Sequence, residues 1–482
     1  MSGGLPAGSR IRPGAFSAWV DRVLGAVMVL GLGVLLGFEY MTPDKRVLSV
    51  LAGLVVAGIA WRLEIVAGIG VMILALPFPK GTTFGTTNLA LILLVLVIYL
   101  LRVGQREVAR PAPTPIDMPL LGLCIAYLVS FYNVTPENMQ GAFANTELFV
   151  GTILMFGVVV NSVRSEADLK RLHGFQMVTL GLVLVIALWE LTHPGKALVP
   201  GWLDFTQTTG EAFNTRNVRI GGAFHDYELL ADYCGLNIIF LAFLVSRARD
   251  TSQRILYGTL MAGTVFVLFS TVTRGPIVSL AVALAYMMWL MRRRLRVVPV
   301  TIGAAAITAV FLGTNFIVSR FTRSGDLFVR LSQTEIKGFV PDTREAAWKD
   351  AWDHFLLHPL IGSGPLYSTV RGLHSWFWPH DLYMYVENIV GILGLAFFLW
   401  MLWTLFSLTK PNVDTPAAES YLESYLFIAR VQCVFFLVDQ IKIEYLRNDT
   451  YQYQAWLMFA LWVTAARLRA NGPPAPLRAT RA

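Results

Sequence analysis

Three arginines, Arg219, Arg274 and Arg344, lie beside or between strongly apolar stretches of the chain. An arginine in such a place snorkels to the membrane surface, pairs with a structural carboxylate or binds a phosphate group. Taken singly, each arginine is more typical of a structural role. Three guanidinium groups that converge would instead present fixed, paired N–H donors of the kind that suit a pyrophosphate.

A histidine, His380, begins a long apolar run, and an imidazole suits general base catalysis near neutral pH. If this run is helical, one face carries, at intervals of three or four residues, His380, Tyr383, Glu387, Gly391 and Gly394. An ionisable side chain inside an apolar run, such as Glu387, is rare without a task or a partner. The plainer alternative is that Asp381 caps the helix, Glu387 pairs with a cation, and the glycines admit a neighbouring helix.

The remaining candidate groups match no catalytic motif. Asp226, Glu228 and Asp232 begin another apolar run and either counter the arginines or hold a cation, but their spacing is not that of a metal site. The sequence contains no phosphate-binding loop, dinucleotide fingerprint, zinc-protease motif or serine elbow. The three cysteines are widely spaced in apolar surroundings, which is typical of buried hydrophobic residues. The residues alone therefore show no metal-ligand spacing and no cofactor motif, and His225 beside Asp226 is at most a weak metal candidate.

The composition indicates which elements position these residues. Hydrophobic residues make up 55% of the 482 positions and charged residues 15%, against about a quarter charged in soluble domains. Uncharged runs of about 20 residues, enough to cross a bilayer, recur along the chain. We predict an all-α, polytopic integral membrane protein. Its predicted spans number about fourteen and lie near 20–38, 47–61, 63–78, 86–101, 117–132, 145–163, 174–192, 227–246, 255–273, 276–291, 297–318, 382–408, 418–438 and 451–467.

The distribution of positive charge predicts the orientation. Loops rich in arginine and lysine alternate with the segment 133–144, which contains neither residue. Because cationic loops stay on the cytoplasmic side, both termini are expected there. The net charge of +8 then reflects topology and anionic lipid rather than a nucleic acid partner. The predicted divisions are a cytoplasmic N-terminal segment 1–19, spans 1–11 in 20–318, a periplasmic loop 319–380, spans 12–14 in 381–468 and a disordered cytoplasmic tail 469–482.

The predicted outer segment 319–380 contains an amphipathic stretch. Trp348, Trp352 and Phe355 recur at helical spacing with charged residues between them, and Pro359 ends the pattern. We expect a helix here that lies flat at the membrane interface with its aromatic face toward lipid. The loop from about 193 to 226 and the turn 273–275 are expected on the same side of the membrane.

Several motifs together resemble those of the O-antigen ligase and polymerase superfamily. His380 and Asp381 are followed after nine residues by Gly-Ile-Leu-Gly at 391–394, similar to the family's His, then Asn, Ser or Gln, nine residues and Gly-x-x-Gly. The stretches 344–348 and 358–364 resemble its Arg-x-x-x-Trp and His-Pro-hydrophobic-hydrophobic-Gly-x-Gly. The turn 273–275 is similar to the family's Ser-Arg-Gly, and 218–222 to its Arg-x-x-Gly stretch. The resemblance covers about residues 215–410.

The resemblance implies a metal-independent, cofactor-free glycosyltransferase with a membrane fold of the GT-C class. It implies that Arg219 and Arg274 bind the donor pyrophosphate and that His380 orients or deprotonates the acceptor hydroxyl. Arg344, together with Tyr383 and Glu387, is then expected to contact substrate. Asp381 departs from the family pattern, in which Asn, Ser or Gln follows the histidine. An anion at this position either raises the pKa of His380 or repels a phosphate.

The leading hypothesis from this resemblance is a polymerase that joins glycan repeat units carried on undecaprenyl pyrophosphate, at the periplasmic face of the bacterial inner membrane. One alternative is a ligase that transfers the finished glycan to lipid A-core, and another is a flippase for the same lipid-linked sugars. The implied partners are the lipid-linked donor, a glycan or lipid A-core acceptor, membrane lipids, and chain-length or flippase proteins, with no nucleic acid.

Overall fold

The computed structural model describes residues 64–193, 219–292, 309–320, 344–365, 379–411 and 420–471, apart from positions 80, 83–84, 107 and 109, with positions 196, 198, 332, 336–337 and 340–341 in addition. The helices are α1 (Ile65–Ala75), α2 (Thr87–Gly104), α3 (Asp117–Ser130), α4 (Met139–Ser162), α5 (Glu166–Thr192), α6 (Tyr227–Arg247), α7 (Thr251–Ser270), α8 (Gly275–Met291), α9 (Glu345–Phe355), α10 (Leu382–Leu408), α11 (Tyr421–Asp439) and α12 (Asp449–Asn471). Residues 309–320 are also helical. Two short antiparallel hairpins pair β1 (Gly81–Thr82) with β2 (Gly85–Thr86) and β3 (Ile336–Lys337) with β4 (Val340–Pro341).

The chain is a polytopic helical membrane protein. Six helical segments are long and apolar enough to cross a bilayer, namely α2, Pro136–Ser162 with α4 inside it, α5, α6, α10 and α11. The shorter apolar helices are α1, the segment Asp117–Asn133 with α3, and α8. The predicted spans near 20–38 and 47–61 lie outside the described residues, and so does most of the span near 297–318. The count of about fourteen spans therefore stays a prediction.

Helix α12 forms the centre of the bundle. Its residues from Thr450 to Ala466 are all buried, and they pack against α4, α10 and α11. Phe149 and Phe156 of α4 both meet the Trp456 ring edge to face, with centroids 6.0 Å apart. Because neighbouring helices surround α12, it tolerates buried polar residues such as Gln452 that a lipid-facing helix would not.

One end of the bundle, which we call the junction end, gathers several chain turns. It consists of residues 219–228 before and at the start of α6, 271–275 between α7 and α8, 379–382 at the start of α10, and 439–445 after α11. The N–H of Leu382 donates to the carbonyl of Gln440 at 2.8 Å, which fixes the start of α10 against the end of α11. Three helices, α6, α8 and α10, therefore begin where α7 and α11 end.

The opposite end of the bundle carries the cationic loops. Arg171 at the start of α5 pairs with Glu64 at 2.7 Å, and Arg469 at the end of α12 lies 3.5 Å from Glu423. Arg247 ends α6 and Arg292 follows α8. This end therefore contains arginine-rich loops that the sequence predicts to be cytoplasmic.

A break in α10 accommodates a turn of the chain. Gly391 has φ 69° and ψ −177°, and the carbonyls of Asn388 and Ile389 instead accept hydrogen bonds from the N–H groups of Ser363 and Gly364 at 2.9 and 3.0 Å. A Cβ atom on Gly391 would lie 2.3 Å from the carbonyl carbon of Leu360. Glycine is thus required at position 391 both by the backbone conformation and by this close contact. The predicted motif at 358–364 packs against α10 at this break.

The amphipathic helix α9 packs on α10 through a small-residue face. Ala347 and Ala351 are buried, while Trp352 is 49% exposed. Trp348 does not share the exposed face, because its indole N–H donates to the carbonyl of Pro379 at 2.8 Å. The prediction that all three aromatic residues face lipid is therefore wrong for Trp348, whose polar N–H finds a partner inside the protein.

Candidate functional site

Arg219 braces the turn that carries Arg274. Its Nε donates to the carbonyl of Thr271 at 3.0 Å and its Nη2 donates to Oγ1 of Thr273 at 3.1 Å. The guanidinium carbon lies 3.2 Å from the centroid of the Tyr227 ring, at the first residue of α6. These two arginines are more than fifty residues apart in sequence, but the side chain of Arg219 contacts the turn that precedes Arg274.

The turn itself is shaped by an unusual backbone. Val272 has φ 53°, in the left-handed region that β-branched residues rarely adopt. The chain then enters α8 at Gly275, with Pro276 in the first helical turn. A Cβ on Gly275 would lie 3.4 Å from Cδ of Lys442, so α8 begins directly against the segment that follows α11.

Arg344 joins three further elements. Its Nη1 donates to the carbonyl of His380 at 3.2 Å and to the carbonyl of Lys442 at 2.5 Å. Its Nη2 lies 3.7 Å from Oε1 of Glu228, in the first turn of α6. A single guanidinium group thus connects the start of α9 with the starts of α6 and α10 and with the segment after α11.

Lys442 adds a fourth cation to this end of the bundle. Burial lowers the pKa of Lys442, and the nearby charges of Arg344 and Arg274 lower it further, while Asp439 opposes both. Arg344 and Arg274 therefore both act on the charge of Lys442, and Arg344 also donates to the Lys442 carbonyl. Such a cluster is favourable when an anion neutralises it.

His380 contacts two of these residues, Arg344 through its backbone carbonyl and Glu228 through its side chain. Its side chain is 34% exposed, and its Nδ1 lies 3.7 Å from Oε2 of Glu228. Its backbone has φ 50°, again in the left-handed region. Because Nδ1 faces Glu228, the second ring nitrogen, Nε2, is directed away from this carboxylate.

Asp381 acts as the N-cap of α10. Its carboxylate accepts a hydrogen bond from the N–H of Met384 at 2.9 Å. Burial raises the pKa of Asp381 to about 6, although the backbone N–H groups of Met384 and Tyr383 and the charge of Arg344 act in the opposite direction. The structure thus confirms the predicted alternative that Asp381 caps this helix.

Two predicted substrate-binding residues point elsewhere or lie deeper. The Tyr383 hydroxyl donates to the carbonyl of Leu437 at 2.8 Å, so this side chain is directed toward α11 rather than toward the arginines. Glu387 lies one turn further along α10 and is partly buried. Their role in binding substrate remains a prediction.

Two charged residues of the cluster, Glu228 and Lys442, are not among the predicted site residues, although Glu228 was one of the three acidic residues expected to counter the arginines or hold a cation. Glu228 follows the capping residue Asp226, so an acidic residue in that first turn looks like an ordinary helix-start signal. Lys442 resembles a simple partner of Asp439, three residues earlier. A signal was nevertheless available, since both are charges at the ends of apolar runs on the same predicted side of the membrane.

Residues 259–399 match the family model described as O-antigen ligase. The matched segment includes Arg274, Arg344 and His380, whereas Arg219 lies before it. A search of curated proteins gives no match. The match over residues 259–399 confirms the predicted resemblance to the O-antigen ligase and polymerase superfamily.

Proposed function

We propose that the protein is a metal-independent glycosyltransferase that acts on glycans linked to undecaprenyl pyrophosphate. The family of residues 259–399 implies a glycosyl-transferring enzyme. The observation that carries the finer proposal is the convergence at the junction end: Arg219 braces the turn of Arg274, and Arg344 is bonded to the backbone of His380. A cationic cluster beside one imidazole is the arrangement that this reaction requires.

The three arginines would bind the pyrophosphate of the donor. Negative charge grows on the departing pyrophosphate as the sugar–oxygen bond breaks, and guanidinium groups held in a water-poor site stabilise that charge. Three helices, α6, α8 and α10, also begin here. Their N-terminal N–H groups and dipoles add a favourable field for an anion.

His380 would act as the general base. The oxygen of the acceptor hydroxyl attacks the anomeric carbon, the bond from that carbon to the pyrophosphate oxygen breaks, and its electron pair leaves with the undecaprenyl pyrophosphate. The imidazole accepts the hydroxyl proton. The donor carries its own activation energy, so the proposed reaction uses no nucleotide and no cofactor, and Tyr383 and Glu387 would contact the sugars.

The proposed topology places this site at the periplasmic face of the bacterial inner membrane. The cationic loops lie at the opposite end of the bundle, which supports cytoplasmic termini. We retain about fourteen spans and a GT-C-type architecture as part of this proposal, with the periplasmic loop 319–380 between spans 1–11 in 20–318 and spans 12–14 in 381–468. Segments 1–19 and 469–482 would then be cytoplasmic.

Polymerisation of repeat units for a surface polysaccharide is the leading proposal. Transfer of the finished glycan to lipid A-core is a second candidate, because the matched family carries the description O-antigen ligase. Both reactions use the same donor and differ only in the acceptor. The other proteins of the pathway, including chain-length and flippase proteins, are possible partners of either enzyme.

The test is a transfer assay with purified protein in detergent, supplied with lipid-linked repeat units alone or with lipid-linked repeat units together with lipid A-core. A polymerase converts repeat units into a ladder of longer lipid-linked glycans, whereas a ligase produces glycosylated lipid A-core and no ladder. A protein that leaves the donor covalently unchanged under both conditions, and moves it between leaflets of a vesicle, would overturn the proposal in favour of a flippase.

A further inference from the structure

The carboxylate of Glu228 lies between the cation cluster and the imidazole. Its Oε1 is 3.7 Å from Nη2 of Arg344 and its Oε2 is 3.7 Å from Nδ1 of His380. Glu228 and Arg344 side chains are each 18% exposed, so solvent screens their interaction only in part. One carboxylate therefore faces two partners, one with each oxygen.

Both separations exceed the length of a charge-assisted hydrogen bond, which is about 2.7–2.9 Å. The backbone of Glu228 is held in place, because its N–H donates to Oδ1 of the capping residue Asp226 at 2.8 Å. A change in side-chain rotamer is thus enough to close the carboxylate on either partner. Which partner it takes depends on what else binds Arg344.

We propose that Glu228 is a positioning residue that couples binding of the pyrophosphate donor to activation of His380. This inference rests on the proposed function. When a pyrophosphate takes Arg344, the Glu228 carboxylate is released from the guanidinium and closes on Nδ1 of His380. It then holds the proton on Nδ1, so that Nε2 keeps its lone pair and accepts the proton of the acceptor hydroxyl.

Charge balance favours this sequence of events. Before the donor binds, Glu228 offsets part of the positive charge of Arg344. After the donor binds, two phosphate groups take over that task, and the carboxylate stabilises the imidazolium that forms when Nε2 receives its proton. Asp381, although next to His380 in sequence, is occupied as the cap of α10 through its bond to Met384.

Replacing Glu228 with glutamine tests the inference through three readouts. We expect kcat to fall about tenfold or more, because the imidazole loses its orienting acceptor. We expect the donor KM to fall several-fold, because a carboxylate no longer competes with phosphate for Arg344. Because a carboxylate favours the imidazolium, its removal should move the acidic limb of the kcat profile about half a unit to one unit lower in pH.

The surrounding charges stay in place in this variant. The groups around the pair are Arg344 before α9, Asp381 at the cap of α10, Arg274 before α8, Asp439 at the end of α11, and Lys442. The Glu228→Asp variant, which keeps the charge on a shorter side chain, should recover part of kcat and the original acidic limb. Glu166→Gln is a matched control, because Glu166 also lies in a first helical turn and pairs with Lys170 at 2.5 Å at the opposite end.

Three outcomes would overturn the inference without touching the proposed function, provided the wild type transfers glycan and His380→Ala does not. One is a Glu228→Gln variant with the wild-type kcat and pH profile. Another is a fall in kcat with a raised donor KM, an unchanged pH profile and a lower melting temperature, which is the behaviour of a purely structural residue. The third is a Glu228→Asp variant that melts like the wild type but recovers neither kcat nor the acidic limb of the pH profile. A wild-type protein that transfers nothing would instead overturn the proposed function.

Discussion

Two helices of this protein begin with the same dipeptide in the same conformation. His225-Asp226 precedes α6 and His380-Asp381 precedes α10. The histidines are both left-handed, with φ 52° and 50°, and the aspartates have φ −148° and −151° with ψ 119° in each case. Each aspartate accepts a hydrogen bond from the first turn of its helix. The His-Asp pair is therefore a local device for starting a helix.

The surroundings of the two junctions differ. The His380 side chain is two-thirds buried and lies against Glu228, and Arg344 donates a hydrogen bond to the His380 carbonyl. His225 is exposed, and the groups beside it belong to the start of α12, where Asp449 interacts with its charge and Asn448 donates to the carbonyl of Phe224 at 2.8 Å. The chemistry of a junction thus depends on what distant elements bring to it, not on the dipeptide.

The largest contrast is expected between His380→Ala and His225→Ala. If His380 is the general base, its loss should reduce glycosyl transfer by about 100- to 10,000-fold. His225→Ala should leave transfer within about twofold of the wild type, because its side chain is exposed and interacts with Asp449 at the start of α12. Initial rates with purified proteins at matched concentration measure both. Equal activity of the two variants would remove the distinction between the junctions.

The second prediction concerns how the His380 junction is held. Gly391→Ala places a Cβ 2.3 Å from the backbone of Leu360 at a positive φ, so we expect a loss of about 3 kcal/mol or more of stability. Gly157→Ala in α4 is the matched control, because nothing lies within 4 Å of its Cβ and alanine favours a helix by up to about 1 kcal/mol. Thermal unfolding in detergent should separate the two. A Gly391→Ala protein as stable as the wild type would show that the docked turn contributes little.

The third prediction concerns Arg344, which contacts the His380 junction. Arg344→Ala should lower kcat/KM by about 10- to 100-fold, through weaker binding of the pyrophosphate and loss of the bonds to His380 and Lys442. Arg344→Lys should give an intermediate value, because lysine keeps the charge but not the forked donors. Arg171→Ala, which removes an exposed ion pair with Glu64 at the opposite end, should have no effect on transfer. Wild-type kcat/KM in Arg344→Ala would exclude a donor contact.

The smallest expected effect is that of Asp381→Asn. The pKa of Asp381 is raised by burial from its usual 3.8 to about 6, so the folded protein binds this proton more tightly than the unfolded chain does. The resulting stabilisation is present below 3.8 and is lost as the pH rises through about 6. Asparagine caps equally well without a charge, so the variant should be more stable than the wild type by about 1 kcal/mol above that pH, with a smaller difference in acid. Melting curves across this range measure it, and a difference that grows toward acid would contradict the burial argument.

Much of the fold was predictable because apolar runs report directly on helices. The predicted span 382–408 coincides with α10, and 227–246 differs from α6 by one residue. The break at Gly391 was not predictable, because it depends on a turn from 360–364 that meets α10 only in the folded state. The burial of α12 was also beyond reach, since a helix with Gln452 and Gln454 in an apolar run gives no sign of lying at the centre of a bundle.

The cluster at the junction end was predictable in part, because residue type and motif marked several of its members. Arg219, Arg274 and His380 were singled out by residue type and by motif, and the structure places all three at the junction end. Glu228 was predicted only as one of three acidic residues that counter the arginines or hold a cation. Its contacts depend on distances to Arg344 and His380, which are 116 and 152 positions away in sequence. A residue whose partners are distant in sequence leaves no local sequence pattern that predicts its contacts.

The most direct test of the account is a cryo-EM structure of the protein with undecaprenyl pyrophosphate bound in a lipid nanodisc. The account predicts phosphate oxygens within about 3 Å of the guanidinium groups of Arg219, Arg274 and Arg344, on the side of His380 where Nε2 faces. A pyrophosphate bound beside His225, or at the end of the bundle where α7 begins, would contradict it.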